Sequence, residues 1–210
     1  MINQRRDDGL LRFELDEAAL RAIDKALGGV RKDTRKVLKK AVNDTAKQAQ
    51  AKLADKAKET YVVKKGRFTK AMSLNKATTS KPVATIHITG EQLELYDFKA
   101  SPTAYRTGSA RPAVIKAKVK QSSSMKDLVK GKLKAFIVKF TNESKTGEKS
   151  NHTTIVQRKG KSRYPVKKLL SNSIPKMVGQ EEVYGTVEPE IYDRLMVNIA
   201  NEIQKVLDRK

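Results

Sequence analysis

The spacing of small and aliphatic residues between Val30 and Thr60 constrains the fold of this 210-residue chain most strongly. These residues recur at intervals of three or four positions: Val30, Thr34, Val37, Ala41, Thr45, Ala49, Leu53 and Ala57. Such spacing predicts one long α-helix with a single narrow apolar stripe and an otherwise charged surface. Alanine and threonine on the stripe are small enough for another backbone to approach closely.

Three further helices are expected around this one. Asp16 is a suitable N-cap for a short helix that ends at Gly28-Gly29. A helix or two turns should cover residues 64–72, after the apolar residues 61–63. Pro189 suits the first turn of a C-terminal helix. The apolar stripe of that helix is Ile191, Leu195, Ile199, Ile203 and Val206.

The middle of the chain has the pattern of β-strands and surface loops. Residues 82–89 alternate with β-branched residues, and His87 is expected on the partly solvated face of that strand. Residues 10–15 alternate weakly and favour a short strand or an extended lead-in, and residues 113–119 are expected to resume a strand with lysines on one face. Residues 133–140 and 153–158 should form a strand pair joined by a polar loop, 141–151. Residues 101–112, with two prolines and a glycine, should form a surface loop.

These elements predict an α+β fold in which a long N-terminal helix and a C-terminal helix pack on an antiparallel β-sheet. A chain of this length can bury one core, so a single domain over residues 1–210 is expected. Its parts would be a lead-in and short helix (1–29), a long basic helix (30–60), a β-rich core (61–178) and the C-terminal helix (187–210).

The charge of the chain indicates what kind of partner it meets. It has 45 Lys and Arg residues against 23 Asp and Glu, a formal net charge of +22. So positive a field favours anionic partners, or neighbours of opposite sign in an assembly. The absence of cysteine excludes disulfides and cysteine-based zinc sites.

No pattern in the sequence predicts catalysis. The two histidines, His87 and His152, are far apart, and His152 falls in the predicted polar loop. Phosphate-binding loops, dinucleotide fingerprints and metal-ligand spacings are absent from the sequence, so no enzyme activity, metal or cofactor is expected. A membrane span needs roughly 20 apolar residues, and no run approaches that length. Residues 1–8 lack the apolar core of a secretory signal.

The basic residues allow two interpretations. Lysines near the start of the long helix and just after it are candidates for facing DNA: Lys36, Lys39, Lys40, Lys64 and Lys65. Lysine contacts with phosphate would be independent of base sequence, and lysine outnumbers the arginine that base recognition favours. A solvated charged face is the other interpretation, and the sequence does not choose between them.

Several short segments together resemble one known family. Their order is Tyr61-Val62-Val63, then Ser73-Leu74-Asn75-Lys76-Ala77, then Pro82-Val83-Ala84-Thr85-Ile86, then Ala135-Phe136-Ile137, then the run from Arg158 to Pro165, and last Ser173-Ile174-Pro175. With the long basic helix before them, they resemble the prophage minor tail protein Z family over about residues 30–177. Asn172 departs from the proline that the family often has there, and loop 141–151 is generic.

The resemblance implies a structural virion protein of the phage tail, assembled in the host cytoplasm. It implies a tail-completion or neck subunit at the head-proximal end, in a hexameric ring that joins tail to head and lets genomic DNA pass. Its neighbours would be further copies of itself, a tail terminator or tube protein and head-connector proteins. The family-motif residues with implied structural roles are Phe136, Arg158, Arg163, Tyr164, Pro165 and Pro175, with Phe136 as a core anchor. The alternative is a non-specific DNA-binding protein that uses its basic face.

Overall fold

The computed structural model describes residues 2–7, 10–15, 21–23, 25, 31–63, 65–143 and 149–208. The chain divides into two compact units. Unit 1 comprises Met1–Lys58, Lys64–Gly90 and Ile174–Lys210, and unit 2 comprises Glu59–Val63 and Glu91–Ser173. The predicted helix from Asp16 to Gly28-Gly29 lies largely outside the described residues, although residues 21–23 and 25 are helical.

Helices supply most of unit 1. They are α1 (Arg31–Thr60), α2 (Lys65–Ala71), α3 (Ile174–Val178) and α4 (Thr186–Leu207), with a π-helical turn at Glu181–Gly185 before α4. The long helix therefore begins and ends within one residue of its predicted limits. Its described stripe residues, from Thr34 to Ala57, are all buried. Leu38, Val42, Ala46 and Ala54 are buried as well, so the apolar face is wider than predicted.

Helices α1 and α4 run antiparallel. Along α1, Lys40, Thr45 and Lys52 meet residues that lie progressively earlier in α4. Lys40 Nζ is 3.0 Å from Glu202 Oε1, Asn198 Nδ2 donates to Thr45 Oγ1 at 2.9 Å, and Lys52 pairs with Glu190. The predicted stripe of α4 is buried at Ile191, Leu195 and Ile199. The two helices that the sequence predicted thus form one packed pair within unit 1.

The sheet of unit 1 is antiparallel, with the order β1-β2-β4-β3. Its strands are β1 (Ile2–Asp7), β2 (Leu10–Leu15), β3 (Met72–Asn75) and β4 (Ala84–Ile88). Side chains alternate along β4: Ala84, Ile86 and Ile88 are buried, whereas His87 is half-buried. The prediction that His87 lies on the partly solvated face is confirmed.

Unit 2 is built from short antiparallel strands. They are β5 (Gln92–Glu94), β6 (Lys99–Ser101), β7 (Lys116–Lys118), β8 (Lys126–Asp127), β9 (Val129–Lys130), β10 (Leu133–Glu143), β11 (Lys149–Arg158), β12 (Val166–Lys168) and β13 (Leu170–Ser173). They pair in the orders β12-β11-β10-β9, β6-β7-β8 and β13-β5. Part of the buried apolar core here is Ala100, Ile115, Ala117, Ala135, Ile137 and Ile155. The α+β fold, with its long N-proximal and C-terminal helices, is confirmed.

The β10–β11 hairpin is longer than predicted. Pairing runs from Ala135↔Gln157 to Glu143↔Lys149, so much of the predicted loop 141–151 is strand. The residues at this end of the hairpin are polar, and exposed strand positions tolerate polar side chains. The same polarity led the sequence analysis to predict a loop there. His152, predicted in the loop, lies opposite Phe140 on β11. Residues 102–111 form most of the expected exposed loop, with a 3-10 turn at Gly108–Ala110, whereas Ser101 belongs to β6. The predicted strand 113–119 shortens to β7.

Candidate functional site: two cationic cavities

A groove of about 500 Å³ on unit 1 collects lysines from separate parts of the chain. Its walls are α1 on one side and β3 with the segment that follows it on the other. The described lining comprises five lysines and one carboxylate, together with Asn43, Leu74 and Thr79: Lys36, Lys39, Lys40, Lys47, Lys76 and Asp44. We call this cavity the lysine groove. Because positive charge dominates its walls, it attracts anions.

Two amide side chains of α1 hold the other wall of the lysine groove in place. Asn43 Nδ2 donates to the carbonyl of Ala77 at 3.1 Å, and the Ala77 N–H donates to Asn43 Oδ1 at 2.7 Å. Gln50 Nε2 donates to the carbonyl of Met72 at 2.8 Å. Asn43 and Gln50 are two turns apart and so share a face of the helix. Together they fix both ends of β3 against α1, and Asn43 thereby sets the position of Lys76.

Lys40 has a second role, in the contact between α1 and α4. Glu202 is nearly buried and accepts hydrogen bonds from Lys205 Nζ at 2.6 Å and from Lys40 Nζ at 3.0 Å. Burial raises the pKa of this carboxyl, but the hydrogen bonds from Lys205 and Lys40 outweigh burial, and the pKa is lowered overall. Part of the Lys40 charge is therefore balanced by Glu202.

The structure brings together three of the five lysines predicted to face DNA. Lys36, Lys39 and Lys40 line the lysine groove, whereas Lys64 and the side chain of Lys65 lie outside what the structure describes. Sequence reasoning missed Lys47 and Lys76. Lys47 follows Lys40 by seven residues and so shares its helix face, which is a readable signal. No sequence pattern predicts that Lys76 lies in the lysine groove, because its position depends on the contact between Asn43 and Ala77.

A second cavity, of about 450 Å³, lies in unit 2. The loop 104–113, strand β10 and the turn after β11 enclose it. Its described lining includes six basic residues and no acidic ones: Arg106, Arg111, Lys132, Lys134, Arg158 and Lys161. Apolar contacts come from Leu133, Phe136 and Ile137. We call this cavity the cationic pocket.

Two of the predicted structural residues line the cationic pocket. Arg158 and Phe136 are both half-buried there. Phe136, expected as a core anchor, is half-buried, and alternation along β10 buries its neighbours Ala135 and Ile137 more fully.

The other predicted structural residues lie elsewhere. Arg163, Tyr164 and Pro165 are exposed on the β11–β12 connection, with the Arg163 guanidinium carbon 5.7 Å from the centre of the Tyr164 ring. Pro175 is half-buried in α3, in unit 1.

A cluster of titratable side chains in unit 2 joins three strands. Glu94 on β5 accepts a hydrogen bond from Lys168 Nζ at 2.8 Å, and His152 Nε2 lies 3.0 Å from its second oxygen. Burial raises the pKa of Glu94, but the hydrogen bond from Lys168 and the proximity of His152 outweigh it, so the pKa is lowered. The cluster ties β5, β11 and β12 together. Within the described ranges, His, Asp and Glu do not gather into a group of three that could hold a metal ion.

No helix that the structure describes has an apolar stretch long enough to cross a bilayer.

The cationic cavities lined by the described residues of this α+β chain are suited to binding anionic partners, and the ion-pair cluster stabilises the packing of three strands. Comparison with known families specifies the class: a structural protein of a phage tail. The chain belongs to the prophage minor tail protein Z family, whose model matches residues 15–209. The resemblance predicted from the sequence is confirmed. No curated protein and no solved structure matches the chain.

Proposed function

We propose that this tail protein is the tail-completion or neck subunit, a copy in a homo-oligomeric ring at the head-proximal end of the tail. The ring would join the tail to the head and let genomic DNA pass through its lumen. Its neighbours would be a tail terminator or tube protein and head-connector proteins. The role is structural, with no catalytic step.

The lysine groove is the observation that carries this proposal. Five lysines surround a single described carboxylate, Asp44. Duplex DNA is a dense line of phosphates, and lysines attract it without reading its sequence. At physiological salt, screening beyond about 8 Å limits each lysine to phosphates close by. A lumen lined in this way attracts passing DNA without holding it at one position.

Localisation on the virion tests the position of the ring. Gold-labelled antibody against this chain, imaged on purified particles, should mark the junction of head and tail. Label at the distal end of the tail, or absence of label from particles, would contradict the proposal.

Neutralising the lysine groove tests its role. Lys36→Gln with Lys39→Gln removes two groove charges and leaves the Lys40–Glu202 contact intact. We expect complete particles that retain DNA poorly and infect less well. The matched control is Lys99→Gln with Lys126→Gln, which removes the same charge from exposed positions of unit 2. Normal DNA retention and infectivity in the groove variant would refute a DNA-facing role.

The same groove also supports the alternative, a protein that coats nucleic acid non-specifically. Such a protein binds free duplex tightly at low salt, and a binder with 6–10 phosphate contacts loses about 10³–10⁵ in affinity between 50 and 200 mM salt. The proposed ring subunit should bind free duplex weakly. Tight, steeply salt-dependent binding by the purified chain, together with absence from virions, would favour the alternative.

A further inference from the structure

The lining of the cationic pocket favours a binding partner with two properties. Its six basic side chains require negative charge, and its contacts from Leu133, Phe136 and Ile137 require an apolar group among those charges. A duplex backbone supplies phosphates but no apolar side chain, so the apolar part of the pocket lining would stay unmatched. An acidic protein surface with an exposed apolar residue satisfies both requirements.

The chain itself carries a surface of that kind. Residues 177–193 contain five acidic residues and neither lysine nor arginine, in a chain whose net charge is +22. The acidic residues are Glu181, Glu182, Glu188, Glu190 and Asp193. All but Glu188 are exposed, and Glu190 pairs with Lys52 of the same chain, which leaves Glu181, Glu182 and Asp193 as the exposed carboxylates outside that pair. We call this stretch the acidic segment; it includes the π-helical turn and the first turns of α4.

Apolar side chains lie exposed at the end of the acidic segment. Tyr192 is 44% exposed and Met196, one turn further along α4, is 47% exposed. Residues three or four apart are neighbours on a helix surface, so Tyr192 and Asp193 both lie next to Met196. This edge of α4 thus presents an aromatic ring, a thioether and a carboxylate side by side. Large side chains of this type are enriched at protein interfaces.

We propose that the acidic segment of one copy docks into the cationic pocket of the next copy. Tyr192 enters between the basic side chains toward Phe136, and Asp193 pairs with Lys134 at the rim. The inference rests on the proposed function, because it names the contact through which the ring would form. The two surfaces are different parts of the chain, so the contact is heterologous and repeats from copy to copy.

Charge reversal tests the contact. One variant carries Lys132→Glu and Lys134→Glu in the pocket, and the other carries Asp193→Lys in the acidic segment. Like charges facing each other oppose association, so each variant alone should self-associate at least about tenfold more weakly in sedimentation velocity. Mixing the two variants, or combining them in one chain, should restore association, because every contact again joins opposite charges. Lys99→Glu with Lys126→Glu, two reversals at exposed positions outside the pocket, should change nothing.

Cross-linking extends the test to weak association and to assembled tails. Because the chain has no cysteine, Lys134→Cys and Asp193→Cys introduce unique thiols. A mixture of the two, treated with a short bismaleimide, should give a cross-linked dimer, whereas Lys99→Cys mixed with Asp193→Cys should not. Absence of the dimer from both purified protein and assembled tails overturns the proposal.

The remaining outcomes separate this inference from the proposed function. If the single reversals weaken association and the mixture does not recover it, the pairing is wrong. If the pocket reversal weakens only duplex binding, the pocket is a nucleic-acid site and the pairing is again wrong. In either case gold label at the head–tail junction would leave the proposed function standing, and its absence there would remove that function whatever the cross-links show.

Discussion

Replacing Asn43 by alanine should destabilise unit 1 by about 2 kcal/mol. Asn43 satisfies both backbone groups of Ala77, with bonds of 3.1 and 2.7 Å, and Ala77 is only 3% exposed. A buried backbone group left without its partner costs about 1–3 kcal/mol. Because Asn43 lines an open groove, water can reach the site, which favours the lower end of that range for each group. Alanine also has the higher helix propensity, by about 0.5 kcal/mol, which offsets part of the loss.

Urea unfolding followed by far-UV circular dichroism measures this effect. In a chain of this length, 2 kcal/mol corresponds to a melting temperature lower by about 4–8 °C. Gln50→Ala removes a single bond, to the carbonyl of Met72, and should cost about half as much as Asn43→Ala. The two sites share no partner, so the double variant should lose the sum of the two effects to within about 0.5 kcal/mol.

Gln48→Ala is the control for this series, because Gln48 is exposed on the same helix. Its effect should stay within about 0.5 kcal/mol of zero. If Asn43→Ala were as mild as this control, or Gln50→Ala cost more than Asn43→Ala, the contact with Ala77 would not be what holds the segment after β3 against α1.

Two further changes have definite expected outcomes. Gly90 has a φ of 148°, which side-chain-bearing residues rarely adopt, so Gly90→Ala should lower stability by about 1–3 kcal/mol in urea unfolding. Gly66→Ala, in α2 with open space around it, should instead be neutral or stabilising, and equal effects would refute the backbone argument. The pKa of Glu202 is lower in the folded protein than its unfolded value, near 4.5. Ionised Glu202 therefore adds stability above pH 4.5, and that stability is lost as the pH falls through the folded pKa. Glu202→Gln should therefore be less stable than the parent at pH 7, with the difference shrinking below pH 4; a deficit that is constant with pH would contradict the role of the two lysines beside it.

Local patterns explain what could be predicted from the sequence. Helix α1 lies within one residue of its expected limits, because apolar periodicity over eight turns is a strong local signal. Leu38 and Val42 were missed because the stripe was traced along a single row, although helix faces buried in a protein are broader. The β10–β11 hairpin was underestimated because composition near its end resembles a loop.

Tertiary contacts explain what the sequence could not predict. Lys76 joins the lysine groove only because Asn43 binds the backbone of Ala77, and no periodicity encodes that contact. The cationic pocket likewise assembles Arg106, Lys134 and Lys161 from distant parts of the chain. The family resemblance predicted structural roles for Phe136 and Arg158, but it did not predict that they line the same cavity.

The interruption of unit 1 by residues 91–173 affects the order in which the chain can fold during synthesis. The chain leaves unit 1 at Gly90 and re-enters it at Ile174, whose side chain would lie 3.6 Å from a Cβ added at Gly90. At about 5–20 residues per second, a ribosome takes roughly 8–30 s to pass from Lys40 to its partner Glu202. Until then the side of α1 that packs on α4 remains exposed, whereas all residues of unit 2 have already been synthesised. The small alanines and threonines on that side limit the apolar area exposed to other nascent chains during this interval.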